Sequence, residues 1–157
     1  MVEYPRYKKV LFCTDFSENS DLAFSYAFGI TKRDGSDLYI MHVMPYPNNY
    51  PHYIEGYLSS EEWEKVEATS RKAIDKNFED LYLSKIKDKS NVSVITRSGR
   101  EDEEVIAFAK EKGIDIIVVG THSRTGIKHA LLGSVAEKII RQSPVPVLVI
   151  PCKKCGE

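Results

Sequence analysis

Short apolar runs rich in β-branched residues alternate along this chain with longer segments whose apolar positions recur at helical spacing. Residues 8–14, KKVLFCT, read as a buried strand because nothing polar interrupts their apolar centre. Asp15 and Ser17 follow as helix-start signals, and Leu22, Ala23, Tyr26, Ala27 and Ile30 then share one face of a helix that Gly35 ends. DLYIMHV, residues 37–43, is the second predicted strand. The stretch 45–58, PYPNNYPHYIEGYL, carries prolines that exclude regular structure, and its length makes it either a lid beside a ligand crevice or a plain linker. Ser59 and Glu62 form a capping box for a long helix with Trp63, Val66, Ile74, Phe78 and Leu81 inward, extending to about Lys87. NVSVITR (91–97) is a third strand. REDEEVIAFAKEKG (100–113) is a helix with acids in its first turn and bases in its last, as the macrodipole prefers. IDIIVVG (114–120) is the fourth strand, Val135, Ala136, Ile139 and Ile140 give a last helix its apolar face, and VPVLVI (145–150) is the fifth strand.

Strand and helix in regular alternation, with nearly continuous Val and Ile in the strands, predict a parallel sheet covered by helices on both faces. Right-handed crossovers, in a chain that winds outward in both directions from its first strand, give an open five-stranded α/β fold of Rossmann-like type, strand order 3-2-1-4-5. In such sheets a ligand sits outside the carboxyl ends of the strands, where the order reverses. The segments that line that crevice are TDFSE (14–18) and GTHSRTGIKHALLGSVAEKII (120–140).

The second segment has no carboxylate from residue 121 to 136, yet holds His122, Arg124, Lys128 and His129. Ser134 and Glu137 have capping-box spacing, so a helix beginning near Ser134 would point unpaired N–H groups at the loop, where phosphate is the usual guest. Gly120 and Gly133 would let backbone approach a ligand closely. The plain alternative is as concrete: Ser134 only a cap, Gly120 only a strand exit, Arg124 and Lys128 only solvated charges. Neither a G-x-x-x-x-G-K-[ST] loop nor a G-x-G-x-x-G turn is present, which argues against a P-loop ATPase and a dinucleotide dehydrogenase.

Composition narrows the setting. A chain of 157 residues, 42% hydrophobic and 29% charged, suits one domain, residues 1–151, with a short tail at 152–157. A formal net charge of −1 offers no global attraction to nucleic acid or anionic membrane, so an anion site must be local. No apolar signal region and no window of about 18 apolar residues is present, and three cysteines do not make a disulfide framework. A cytoplasmic, reducing setting is expected.

The chain resembles the universal stress protein (UspA) family. Its nucleotide signature, G-x-x-G, nine residues, then G-[ST], corresponds here to Gly120, Ser123, Gly133 and Ser134, with residues 124–132 between the second and third. KKVLFCTDFSENS resembles the family's opening strand and helix, MHV (41–43) the end of its second strand, and SPVPVLVI its closing strand, so the likeness spans residues 7–150. It implies an adenine nucleotide alpha hydrolase-like fold that holds ATP or AMP, with Mg²⁺. Thr14 and Asp15 would meet the ribose and base side, Val43 would line the adenine pocket, and Val119, Gly120 and His122 would lie along the nucleotide. Ser123 and Arg124 belong to the signature loop, Arg124 supplying charge, while Gly133, Ser134 and Val135 would cradle phosphate. Ser123 replaces a family glycine, so its Cβ either obstructs the backbone approach or its hydroxyl donates to phosphate. Cys13 stands where many relatives have proline and reads as a small apolar packing residue. Taken alone, Asp15 reads equally as a cap of the first helix and Val43 as ordinary core.

Family members commonly dimerise by pairing their last strands antiparallel, which here implies a homodimer through the strand bounded by Val145 and Ile150. That arrangement would set the two tails, PCKKCGE, ~30 Å apart at ~3.3 Å per residue, too far to share a zinc. Cys152 and Cys155 therefore read as part of a solvated tail, with a thiol or metal sensor as the rival. No convincing general base accompanies the loop, so the expected function is adenine-nucleotide binding for regulation in the stress response, with at most slow hydrolysis. The alternative is a nucleotide-free dimeric interaction module. Neither the stress nor a client protein is named by these residues.

Overall fold

The computed structural model describes residues 1–44, 59–121 and 132–151. These form a five-stranded parallel sheet in the order β3-β2-β1-β4-β5, the order expected. The strands are β1 (Lys9–Cys13), β2 (Asp37–Met44), β3 (Val92–Ser98), β4 (Ile116–Gly120) and β5 (Val147–Ile150), and the helices are α1 (Glu18–Asp34), α2 (Ser60–Leu81), α3 (Glu101–Lys112) and α4 (Ser134–Gln142). A 3₁₀ turn, Leu83–Lys85, follows α2. The linker 45–58, the segment 122–131 and the tail 152–157 lie outside the described residues.

Each face of the sheet carries its own core. Val10 and Phe12 of β1 and Leu38 and Ile40 of β2 pack with α1 and the end of α2, through Ala23, Phe24, Ala27, Phe78 and Tyr82. The alternate residues, Leu11, Met41, Val43, Ile117 and Val119, pack under α3 and α4 against Val105, Phe108, Ala136 and Ile139. Period-two alternation thus sends apolar side chains to both layers, as a sheet buried on both faces requires. Phe12 meets Tyr82 edge-on with ring centroids 5.3 Å apart. Each such fully buried aromatic contributes about 1.5–3 kcal/mol.

Several expected boundaries move for physical reasons. The buried stripe of α1 runs through Ser20, Ala23, Phe24, Ala27 and Thr31, rotated from the expected one, and Tyr26 is 49% exposed. In α2 only the last turns reach the sheet: Ile74 and Phe78 are buried, Leu81 packs beside them, and Val66 is 45% exposed. That helix stops at Leu81, short of Lys87, because Tyr82 leaves helical geometry and turns its ring into the core. β4 starts at Ile116 because Ile114 is still bonded to the end of α3, its N–H donating to Ala109. The carboxylate of Asp115 then accepts from the Lys8 and Lys9 N–H groups at 2.8 and 2.9 Å, which fixes the β1/β4 register. β5 starts at Val147, since Pro146 has no N–H for the ladder, and Val145 precedes the strand.

Candidate functional site

The in-register strands bring Thr14, Val43 and Gly120 to one end of the sheet, where β1 lies between β2 and β4 and the winding direction reverses. A partly open cleft of about 70 Å³ lies there. Its walls are the exit of β1 (Cys13, Thr14, Asp15), the end of β2 (Met41, Val43), the exit of β4 (Val119, Gly120, Thr121) and the starts of α3 and α4.

The β1 exit is a tightly bonded turn. The Asp15 carboxylate accepts from the Ser17 N–H at 3.0 Å and from the Ser20 hydroxyl at 2.7 Å. Ser17 is the N-cap of α1, its side chain accepting from the Ser20 N–H. Asp15 therefore braces the helix cap without being the cap, and it lines the cleft as well. Between them Phe16 sits at φ 61, in the left-handed region, which costs a bulky residue about 1–3 kcal/mol. Its N–H donates to the Thr14 hydroxyl at 2.8 Å. Gly120 lies against the start of α1: a Cβ there would stand 3.4 Å from the Asn19 carbonyl oxygen, an ordinary contact, so the glycine is tolerant on that side.

The β4 exit returns on itself. Thr121 accepts from the Gly133 N–H, which ties the end of β4 to the start of α4. The Ser134–Glu137 capping box expected from spacing does not form. Gly133, extended at φ −70 and ψ 150, occupies the N-cap position, no side chain caps the helix, and Ser134 is already its first residue. The Glu137 carboxylate turns instead to Arg141, at 3.0 Å. The N–H groups of Ser134, Val135 and Ala136 are left without intrahelical partners, and all three residues border the cleft.

Glu101, at the start of α3, also lines the cleft, and the reading of the sequence missed it. Burial raises its carboxyl above the ordinary glutamate range, with the charges of Asp15 and then Asp102 adding to the effect. The cleft is thus polarised. Asp15 and Glu101 make one side acidic, while the α4 start supplies N–H groups that have no partner within the helix and the positive end of a helix dipole. Burial pushes the Cys13 thiol far up, and the Glu101 charge adds to this, so Cys13 is a packed thiol and no thiolate, in line with its expected role.

Of the expected site residues, Thr14, Asp15, Val43, Val119, Gly120, Gly133, Ser134 and Val135 all border the cleft. His122, Ser123 and Arg124 lie outside the described residues, as do Cys152 and Cys155. Among the described residues no group of three or more His, Cys, Asp or Glu side chains is placed to hold a metal ion.

The fold and cleft define an open, doubly wound α/β protein with a helix start bordering the cleft at its switch point. The chain belongs to the Universal stress protein family, which it matches over residues 6–151. It is 32% identical to the universal stress protein MJ0577 of Methanocaldococcus jannaschii, covering 94% of this chain and 96% of that one. The solved structure of MJ0577 superposes with a TM-score of 0.75, covering 96% of this chain and 99% of that chain. UspA from Lactobacillus plantarum shares the fold at 22% identity and a TM-score of 0.74, covering 94% of this chain and 99% of its own. A universal stress protein solved in complex with cAMP shares it at 23% identity and a TM-score of 0.58, covering 93% and 98%.

Proposed function

We propose that this universal stress protein binds an adenine nucleotide, ATP or AMP, with its phosphates on the start of α4 and its ribose and base toward Thr14, Asp15 and Val43. The observation that carries this is the start of α4, which no side chain caps among the described residues and which borders a cleft with apolar walls in Val43 and Val119. Phosphate satisfies the N–H groups and the dipole of such a helix start together. A ribose hydroxyl is a natural donor to Asp15, and Mg²⁺ would offset the phosphate charge near Glu101. The cAMP-bound relative supports the same ligand class. Arg124, Ser123 and His122 follow β4 directly in the chain and complete the phosphate side in this reading.

The role is regulatory binding in the stress response with at most slow hydrolysis, in the cytoplasm. No helix among the described residues is long and apolar enough to cross a membrane. β5 lies at the sheet edge with Val147, Leu148 and Val149 only partly covered, which supports a homodimer through that strand, and Val147→Lys should weaken association in sedimentation. Titration of refolded, nucleotide-free protein with ATP, ADP and AMP, with and without Mg²⁺, tests the main reading. Saturable binding is expected. No binding up to millimolar nucleotide leaves the nucleotide-free dimeric interaction module in its place.

A further inference from the structure

The turn at the β1 edge of the cleft is held in a shape its residues disfavour. Phe16 keeps its left-handed backbone, a conformation that persists only where the surroundings over-determine it. Its ring is wedged against His42 and Phe78, with centroids 4.5 and 5.2 Å away. His42 Nδ1 donates to the Thr14 carbonyl oxygen at 2.8 Å. Tyr82 closes the network from behind: it is fully buried, and its hydroxyl lies 2.6 Å from the Thr14 hydroxyl, which also accepts from Phe16.

We propose that Tyr82, at the end of α2 and outside the cleft, is a positioning residue for the ligand. Through its hydroxyl bond to Thr14 it holds the Thr14–Asp15–Phe16 turn in the shape that presents Thr14 and Asp15 to the non-phosphate end of the nucleotide. The inference rests on the nucleotide reading above. Packing alone does not call for a tyrosine here, since the ring contacts with Phe12 and Phe24 would serve a phenylalanine equally. A buried hydroxyl costs free energy unless it is bonded, and this one is bonded to a residue of the cleft wall. Burial pushes the phenol up; the Thr14 bond opposes this, and the charges of Asp21 and Asp15, with a side-chain interaction from Asp21, add to it. The phenol therefore keeps its proton, and the tether does not depend on pH in the physiological range.

Tyr82→Phe keeps the ring and removes the hydroxyl, with its bond to Thr14 and its interaction with Asp21. Affinity for adenosine, AMP and ATP should fall by the same factor, about 3- to 10-fold, because the lost bond acts at the end all three share. Ile74→Val, a change in the same core, should lower the melting temperature with no change in affinity. In ligand-free protein the Phe16 amide should exchange with solvent at least about tenfold faster in Tyr82→Phe and not in Ile74→Val. Thr14→Val combined with Tyr82→Phe should lose no more affinity than Thr14→Val alone. Unchanged Phe16 exchange, or unchanged affinity while the unmodified protein binds, overturns the inference. If the unmodified protein binds none of the three ligands, the nucleotide reading falls, and the exchange measurement alone decides whether Tyr82 holds the turn.

Discussion

Two helices of this protein open with the pattern serine, two residues, glutamate, and they open differently. At α2, Ser59 is the N-cap: its hydroxyl accepts from the Glu62 N–H at 3.3 Å, and the Glu62 carboxylate accepts from the Ser59 N–H at 2.6 Å. At α4 the pattern sits one residue later. Gly133 takes the N-cap position, Ser134 is helical, and Glu137 pairs with Arg141. A serine reaches the N3 amide only from the extended N-cap backbone, which Ser59 has at φ −70 and ψ 163. The helix that starts in solvent thus closes its own donors, and the one that starts at the cleft keeps them open. A one-residue shift separates a structural cap from a ligand-facing helix start.

The sharpest way to break this contrast is to cap α4. Gly133→Asp places a good capping carboxylate where the backbone already suits it, so the melting temperature should hold or rise slightly. ATP affinity should fall about 30-fold or more, since the donors are taken and the new charge repels phosphate. A smaller change comes from the acidic side. The folded-state pKa of Glu101 is raised, so its stabilising contribution is complete below the ordinary glutamate range and is lost as pH rises through the raised value. Glu101→Gln should therefore be more stable than the unmodified protein at neutral pH, with the gap closing as pH falls through the glutamate range. Its affinity for ATP at neutral pH should rise about 5-fold as one negative charge leaves the cleft. Ser134→Ala should reduce ATP affinity about 3-fold while leaving the melting temperature in place, because this serine caps nothing. Ser59→Ala should do the reverse: the melting temperature should fall by about 2–4 °C and affinity should stay unchanged. Thermal melts and calorimetry on the same preparations check all four.

The same contrast explains what the sequence could disclose. Runs such as VLF in β1 and IIVV in β4 have little choice but a doubly buried strand, VLVI of β5 reads as a strand too, and right-handed crossovers then leave few orders for them. Of the eight expected residues that border the cleft, Gly120, Gly133 and Ser134 have local signals in a strand exit and a helix start, while Thr14, Asp15, Val43, Val119 and Val135 came from the resemblance to the family. Glu101 was hidden because acids occupy every position from 101 to 104, a pattern that serves the α3 dipole whichever of them turns inward. Only packing shows that Glu101 faces Asp15. Tyr82 lay beyond the apolar stripe that ended at Leu81, and its partner Thr14 is 68 residues away, a distance no local pattern spans. The displaced cap at α4 depends on the Gly133 N–H reaching back to Thr121, again a pairing across the fold.

The central claim is that the open start of α4 holds phosphate. Its most direct test is calorimetric titration of adenosine, AMP and ATP into nucleotide-free protein, unmodified and as Gly133→Asp. The account expects affinity to climb from adenosine to AMP to ATP in the unmodified protein, and the climb to flatten in the variant while adenosine binding stays the same. Equal affinity for adenosine and ATP in the unmodified protein, or an undiminished climb in Gly133→Asp, would contradict it.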